Sequence, residues 1–396
     1  MDRKLKVLFY VFFPGGGIGK YSHEVLSAMH TLRSDNADAR VICMPTYEWC
    51  ESAEYPVQSS LMAISHRRPL LRKLRFLVAQ WVNPVRLCQA AFRWKPDWIH
   101  FSNVNPLTYP FWRLLLKATK AKVAITAHDV RRQKGILNLR WEHMQLKRMY
   151  QDAALLFVHG EEQAADLIEF ANVPERKIRI VPMGPFSYPT PASGNRQELR
   201  RNYQIDGDRR VVLFFGFIRD EKQLDRLIQA LAQAENTGWH LLIAGNAGAA
   251  GHKPISYYQE QIAQLGVGNR VTFEARYIPD EEVPDLFRVA DCLALPYSKR
   301  FTSQSAVLNV ATQFQVPVIA TPCPMFAEIL AAFKIGILCE DDGQQGIADG
   351  LVAMSGALEQ KEPFAFGCYE SEFSWRRNAE LTVKAYQSEV AECQVS

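Results

Sequence analysis

Leu213-Phe214-Phe215-Gly216-Phe217-Ile218-Arg219-Asp220-Glu221-Lys222 runs into Gln223-Leu224-Asp225-Arg226-Leu227-Ile228-Gln229-Ala230. An apolar run ends in Gly216, a short loop carries Arg219 and Lys222, and Leu224, Leu227 and Ile228 then recur at helical spacing. The pattern predicts a buried strand, a tight turn and a helix. A helix N-terminus and two cations then converge at the carboxyl end of a strand. Free N–H groups, the helix dipole and an ammonium at one spot suit a phosphate or diphosphate. The plainer reading is a solvated charged turn, but the position at the end of a buried run favours a ligand.

The same alternation extends in both directions. Lys6–Phe13, Arg40–Met44, Trp98–Phe101, Lys122–Ala127, Ala154–Val158 and Lys177–Val181 read as strands, and Lys20–Arg33 as a helix. The turn-rich Pro189-Thr190-Pro191-Ala192-Ser193-Gly194 reads as a linker. Strands resume at Arg210–Phe215, Trp239–Ala244, Val271–Glu274, Cys292–Leu295 and Val316–Ala320, with helical patterns between them. A last helix is expected from Ser374, a plausible N-cap, to about Val390. Two successive βα series predict an α/β protein of two parallel-sheet domains covered by helices on both faces. The expected domains are 1–188 and 195–370, with a terminal helix at 374–396. Such sheets bind ligands at the carboxyl ends of their strands, so the expected site is the cleft between the domains.

Bulk properties narrow the class. The chain has 396 residues, 48% hydrophobic and 22% charged, values of a soluble globular protein with two full cores. No apolar run reaches the roughly 18 residues that span a bilayer. The start, Met1-Asp2-Arg3-Lys4-Leu5-Lys6, lacks the pattern of a signal peptide, which leads to the expectation of a cytoplasmic protein. Eight cysteines without a CxxC pair, several in apolar runs, read as buried thiols. The net charge of +4 hides an asymmetry. Residues 1–190 hold 27 Lys and Arg against 16 Asp and Glu, while the remainder is acidic. The basic half is the one to face an anionic surface.

Four further stretches carry chemistry. Gly15-Gly16-Gly17-Ile18-Gly19-Lys20-Tyr21 follows the first strand and lets backbone N–H groups approach a ligand; it matches neither the dinucleotide fingerprint nor a P-loop. His128, in Thr126-Ala127-His128-Asp129, should project at the mouth of the sheet, able to bond a sugar hydroxyl or a phosphate oxygen or to move a proton. His159 follows another strand but reads more as a helix-entry residue. Tyr297-Ser298-Lys299-Arg300-Phe301-Thr302-Ser303-Gln304-Ser305 places hydroxyls and a helix N-terminus after a strand, a second place for an anionic or hydroxyl-rich group. Residues 55–96 contain no Asp or Glu. There Arg68, Arg72, Lys73 and Arg75 lie among Leu70, Leu71, Leu74, Leu77, Val78, Trp81 and Val82. A basic, apolar and tryptophan-bearing helix suits an anionic membrane surface, with a nucleic-acid patch or a plain solvated helix as competing readings. Asp206-Gly207-Asp208 spells DxD but sits in a turn, and no cluster has metal-ligand spacing.

Taken in order, these residues resemble the two-domain GT-B glycosyltransferases, and among them the retaining family 4 of the group 1 enzymes. Gly15–Tyr21 looks like the family's GGxGxY loop, and His128-Asp129 like its THD element. Val181-Pro182-Met183-Gly184 looks like its VP(N/H)G, and Gly216–Lys222 like its donor-phosphate loop. Tyr277-Ile278-Pro279-Asp280 is similar to its base-contacting segment, Pro317–Thr321 to its PVIAT strand, and Phe373-Ser374-Trp375 to the start of its closing helix. Two departures stand out. Phe217 and Gln223 replace the Arg and Gly of the phosphate loop, and Arg219 is the candidate to supply the lost charge. The family's E-x7-E pair falls on Thr302 and Val310, neither acidic; Gln304-Ser305 is similar to a Ser-Gly variant of the first position.

The resemblance implies two Rossmann-like domains facing a cleft, and metal-independent, retaining sugar transfer from a UDP- or GDP-sugar with no further cofactor. It implies catalytic roles for His128, Lys222 and Arg219. Donor contacts would come from Gly16, Gly17, Gly216, Tyr277, Ser303, Gln304 and Ser305. The closing helix would return to the first domain. The acceptor, expected to be a lipid-linked glycan of cell-surface polysaccharide synthesis, would dock on the basic first domain. Arg68, Arg72, Lys73 and Arg75 would meet the cytoplasmic face of the membrane, with no role for nucleic acid. The missing carboxylates leave one alternative, a catalytically silent GT-B subunit that binds a glycan or a protein. A GT-B epimerase would also need carboxylates that this stretch lacks.

Overall fold

The computed structural model describes residues 4–13, 15–32, 37–103, 106–132, 136, 138–189, 195–205, 207–234, 238–246, 252–299, 301 and 305–395. The chain divides into two compact units, Met1–Gly184 with Ser374–Ser396, and Pro185–Phe373.

In unit one, β1 (Leu5–Val11), α1 (Gly16–Thr31), β2 (Ala37–Cys43), β3 (Val57–Gln58), α2 (Pro69–Trp94), β4 (Trp98–Phe101) and α3 (Tyr109–Thr119) come first. They are followed by β5 (Lys122–Thr126), α4 (Leu139–Asp152), β6 (Leu155–Val158), α5 (Glu161–Ala171) and β7 (Ile178–Ile180). The seven strands form a parallel sheet in the order β3-β2-β1-β4-β5-β6-β7. Unit two holds α6 (Arg196–Asn202), β8 (Arg210–Phe215), α7 (Leu224–Gln233), β9 (Trp239–Ala244), α8 (Ile255–Gln264), β10 (Val271–Glu274) and α9 (Val283–Val289). It continues through β11 (Cys292–Leu295), α10 (Ala306–Gln313), β12 (Val318–Ala320), α11 (Pro324–Ala332), β13 (Gly336–Leu338), α12 (Gln344–Glu359) and α13 (Phe366–Glu372). Its six strands are parallel in the order β10-β9-β8-β11-β12-β13. The last helix, α14 (Trp375–Val395), belongs to unit one; Ser374 Oγ accepts from Arg377 N at 3.2 Å as its cap.

Both sheets are covered on two faces, and so the central strands are buried along nearly their whole length and largely apolar. Val211, Val212, Leu213 and Phe214 of β8 are buried without interruption, as are all four residues of β4. Burial of a large side chain such as Phe214 or Trp239 contributes about 1.5–3 kcal/mol. The strand order reverses between β1 and β4 in the first sheet and between β8 and β11 in the second. Crevices at such switch points are where parallel sheets hold ligands.

Two local expectations are corrected. α1 begins at Gly16, not Lys20, because Gly19, Tyr21, Ser22 and Val25 continue a buried stripe that outweighs the poor helix propensity of glycine. β3 and β13, of two and three residues, are too short to show in the sequence pattern. The apolar side chains at the start of α2 face solvent. Leu70, Leu74, Leu77 and Trp81 are all exposed, and only from Ala79 onward does the helix bury one side, through Gln80, Asn83, Leu87 and Cys88.

Candidate functional site

The loop after β8 is built around two left-handed residues. Gly216 has φ of +95°, which a side chain tolerates poorly, and a Cβ on Gly245 of the neighbouring β9 end would collide with the Gly216 carbonyl oxygen. After a short 3-10 turn at Asp220–Lys222, Gln223 takes φ of +47° and opens α7. This is the family's glycine position, and Gln223 keeps the glycine-like backbone there. With its amide nitrogen facing the carbonyls of Asp342 (3.2 Å) and Pro296 (3.0 Å), its buried side chain donates to both. Two anchors thus offset a strain of about 1–3 kcal/mol.

The turn brings Lys222 back over the strand end. Its Nζ lies 5.2 Å from the centre of the Tyr297 ring, and a Cβ on Gly216 would sit 3.4 Å from it. Lys222 is half-buried, and among the described residues it makes no salt bridge. Arg219 is placed differently. It is exposed, 3.5 Å from Glu221 Oε1, with its guanidinium 5.9 Å from the exposed Phe217 ring. The Arg219 charge thus faces a carboxylate of its own loop.

Across the switch point, Ser305 precedes α10 but does not cap it through its side chain; the buried hydroxyl pairs with Tyr297 Oη at 3.2 Å. Ser303 and Gln304 lie outside the described residues, as do Thr302 and Asp206 of the DxD turn. Val310 is buried in the core of unit two, so the family's second carboxylate position has become part of the packing. Tyr277, at the end of β10, is 66% exposed, enough to offer a face for stacking. Arg276 beside it bridges Glu274 (3.0 Å) and Glu282, which fixes the loop.

In unit one the glycine loop opens directly into α1. Gly16 has φ of +67°, and a Cβ on Gly16 or Gly17 would meet open space. The first-turn N–H groups at Gly16 and Gly17 thus stand at the β1 switch point with open space beside them. No residue of that first turn is acidic, and the Glu48 carboxylate lies against the N-cap residue Gly15, where it faces the positive end of the helix.

His128, His159 and Val181 come just after β5, β6 and β7, three neighbouring strands. His159 Nε2 lies 3.2 Å from His128 Nδ1, and His159 Nδ1 lies 3.0 Å from the Val181 carbonyl. Gln163, on the first turn of α5, accepts from the His159 backbone N–H (2.8 Å) and donates to the His128 carbonyl (3.0 Å). His128 Nε2 is shielded from water and has no geometric hydrogen-bond partner among the described residues. The Tyr21 ring packs edge-on against His128 with centroids 4.5 Å apart, and Asn378 of α14 donates to the Pro182 carbonyl at 2.6 Å. Beneath them His100 bonds Thr126 Oγ1 (2.7 Å) and Tyr386 Oη.

Burial disfavours the imidazolium throughout this cluster. It lowers His159 to about 4 and His100 to about 3. His128 is pushed well below its ordinary value by burial first, then by His159 and His100. The Ser102 backbone acts in the opposite direction on His128, as an acceptor that favours the protonated ring. The sequence reading of His159 as a helix-entry residue is corrected here: it precedes α5, yet its ring is buried against His128. The signal available in sequence was a histidine directly after a second apolar strand.

At the other end of unit one, Arg68, Arg72, Lys73 and Arg75 are exposed around the first turns of α2, and Arg75 donates to the Ser65 carbonyl at 3.0 Å. A groove of about 400 Å³ opens between α2 and the edge strand β3, lined by Gln58, Ser59, Ser60, Arg86, Gln89 and Arg93 among others. Among the described residues no helix is long and apolar enough to cross a membrane.

Comparison with known proteins agrees with this geometry. The family described as Glycosyl transferases group 1 matches residues 195–355, and the Glycosyl transferase 4-like domain matches residues 16–184. The D-inositol 3-phosphate glycosyltransferase of Corynebacterium jeikeium is 28% identical over 252 residues, 61% of this chain and 59% of that protein. The enzyme of the same name from Mycolicibacterium smegmatis is 28% identical over 61% of this chain and 54% of its own length. The chain thus spans little more than half the length of these relatives. Among solved structures, a glycosyltransferase from Rickettsia africae superposes with a TM-score of 0.75 at 16% identity, over 98% of this chain and 99% of that one. Anabaena HepE in complex with UDP and glucose gives 0.66 at 17%, over 99% and 100%. Two family matches that between them take in both sheets, and a shared two-sheet architecture, establish that the chain belongs to the group 1 glycosyltransferases of GT-B type.

Proposed function

We propose that this protein transfers a sugar from a nucleotide diphosphate donor to an acceptor hydroxyl, with retention of configuration and without a metal. The observation that carries the reading is Lys222, a half-buried ammonium held over the end of β8 with no carboxylate beside it among the described residues. An ammonium so placed is suited to a charge-assisted hydrogen bond with a bound phosphate. In the reaction the bond between the anomeric carbon and the diphosphate oxygen breaks, and the bond to the acceptor oxygen forms. Lys222, with the α7 N-terminus behind it and a smaller share from Arg219, offsets the charge that grows on the leaving diphosphate. The leaving phosphate oxygen takes the acceptor proton. Gly216 lets the backbone approach the phosphates, and Gly16 and Gly17 offer further N–H groups to the donor. Tyr277 stacks on the base. Ser303, Gln304 and Ser305 orient the sugar, and His128 bonds it. UDP-sugars are the first donors to test, since HepE binds UDP and glucose; GDP-sugars come next.

The acceptor is a glycan or lipid-linked glycan docked on basic unit one, at the cytoplasmic face of a membrane during polysaccharide assembly. The exposed Leu70, Leu74, Leu77 and Trp81, set among Arg68, Arg72, Lys73 and Arg75, support this surface role. The inositol phosphate specificity named for the relatives makes a phosphorylated polyol a second acceptor to try. Co-sedimentation with anionic vesicles tests the surface. Removing the four charges should weaken binding about a hundredfold or more, at roughly 1 kcal/mol per basic residue. Equal binding by both proteins refutes it.

Thermal-shift titration with UDP, GDP, ADP and their sugar conjugates tests the donor. One nucleotide series should raise the midpoint, and Lys222→Ala should abolish the rise. Val310, buried where the family has a carboxylate, favours one other reading, a silent subunit that binds a glycan or a protein partner. Nucleotide release with a donor and acceptor panel separates the two: a silent subunit releases none.

A further inference from the structure

We propose that His159 is a positioning residue: it holds His128 as the Nδ1–H tautomer, so that His128 Nε2 is a hydrogen-bond acceptor and selects a sugar presenting a hydroxyl at that point. The selectivity rests on the reading of His128 as a ligand of the transferred sugar; the tautomer does not.

The argument follows the protons. The Val181 carbonyl can only accept, so His159 Nδ1, 3.0 Å away, carries a hydrogen. In a neutral ring the other nitrogen is then bare, and His159 Nε2 is an acceptor. It faces His128 Nδ1 at 3.2 Å, a bond that needs one proton, and only His128 can supply it. His128 Nδ1 is therefore protonated, and its Nε2 keeps the lone pair. Burial supports neutrality of both rings. Gln163 fixes the pair in place, because its one amide accepts from the backbone of one histidine and donates to the backbone of the other.

The chemical consequence is selective. A bare imidazole nitrogen receives a hydroxyl proton and repels the lone pairs of a phosphate or carboxylate oxygen. His128 then serves the neutral, hydroxyl-bearing part of the donor and not its diphosphate. A uronate or phosphorylated sugar placing an anionic oxygen there is rejected. A shielded lone pair without a donor, as Nε2 is here, is the kind of group a bound ligand relieves.

NMR on protein with 15N-labelled histidine rings reads the tautomer without any substrate. His128 should show a protonated Nδ1 and a bare Nε2. His159→Gln, which keeps an acceptor oxygen, should preserve that pattern; His159→Leu should shift His128 toward the Nε2–H form. A wild-type His128 already protonated at Nε2, donating toward the Ser102 carbonyl, overturns the proposal, as does an unchanged pattern in His159→Leu. Thermal melts identify a variant that fails to fold, and the glutamine variant and the wild-type spectrum then decide. The second reading uses donors with each sugar hydroxyl in turn replaced by hydrogen. One replacement should cost wild-type kcat/KM about tenfold, the upper end for one neutral hydrogen bond. That penalty should shrink in His159→Leu and return in His159→Gln. Indifference of the wild type to every replacement overturns the selectivity. No turnover with any donor overturns the transfer reading, while the spectra still decide the role of His159.

Discussion

At the carboxyl end of β8 a half-buried ammonium stands with no salt bridge among the described residues, whereas at the ends of β5, β6 and β7 two imidazoles are kept neutral. The first place is built by a dozen consecutive residues. Two backbone positions with positive φ, Gly216 and Gln223, turn the chain so that Lys222 folds back over the strand it follows. The second is assembled from Tyr21, His128, His159, Gln163, Val181 and Asn378, which six separate segments bring together. One is suited to stabilising a forming charge, the other to reading an uncharged group. The difference is between electrostatics set by a local turn and electrostatics set by tertiary burial.

Breaking the first place should have the largest effect. Lys222→Ala is expected to lower turnover by about 10²–10³, the loss of one preorganised charge donor of roughly 3–4 kcal/mol. It should leave the urea midpoint nearly unchanged, because the side chain makes no salt bridge among the described residues. A variant that unfolds early and turns over normally would assign Lys222 to stability instead.

The second place predicts a pH signature. Its imidazoles titrate lower in the folded chain than the ordinary value near 6.5, so the unfolded chain binds protons that the folded one refuses. The stability is fully present above about pH 6.5. It falls as the pH drops toward the folded values, about 4 for His159 and about 3 for His100, by up to about 1.4 kcal/mol per pH unit for each histidine. Urea unfolding at pH 7.5, 6 and 5 measures the slope. His100→Phe should reduce it by one proton, and an unchanged slope would show that His100 is protonated in the fold.

The smallest effect sharpens the contrast within the β8 loop itself. Arg219→Ala should cost less than tenfold in turnover, since Arg219 is exposed and already faces Glu221 at 3.5 Å. A loss as large as that of Lys222→Ala would mean that both cations reach the diphosphate.

The same contrast explains what could be read before the fold was known. Strands at Trp98–Phe101, Arg210–Phe215, Trp239–Ala244, Val271–Glu274 and Cys292–Leu295 appear with the expected bounds. Each is a compact apolar run cut off by polar residues, glycine or proline. The Lys222 loop was legible for the same reason, since its geometry is contained in its own residues. The pairing of Arg219 with Glu221 was not legible, because it depends on side-chain direction. His159 was under-read, because its partner is 31 residues away and only the β5–β6 register joins them. The start of α2 was legible as helical spacing, but the point where the helix turns inward, at Ala79, was not, because spacing alone does not say where a core begins.

Tyr386 reaches back 286 positions to His100, and it does so from a helix that follows all of unit two in the chain. A ribosome that has released everything up to Phe373 has given unit two all of its residues, while unit one still lacks a wall. Until α14 emerges, His100 lacks its Tyr386 partner. Unit two can therefore close before unit one, although it is made second. Loss of α14 would be felt at the His128 pocket, far from that helix in sequence and next to it in space.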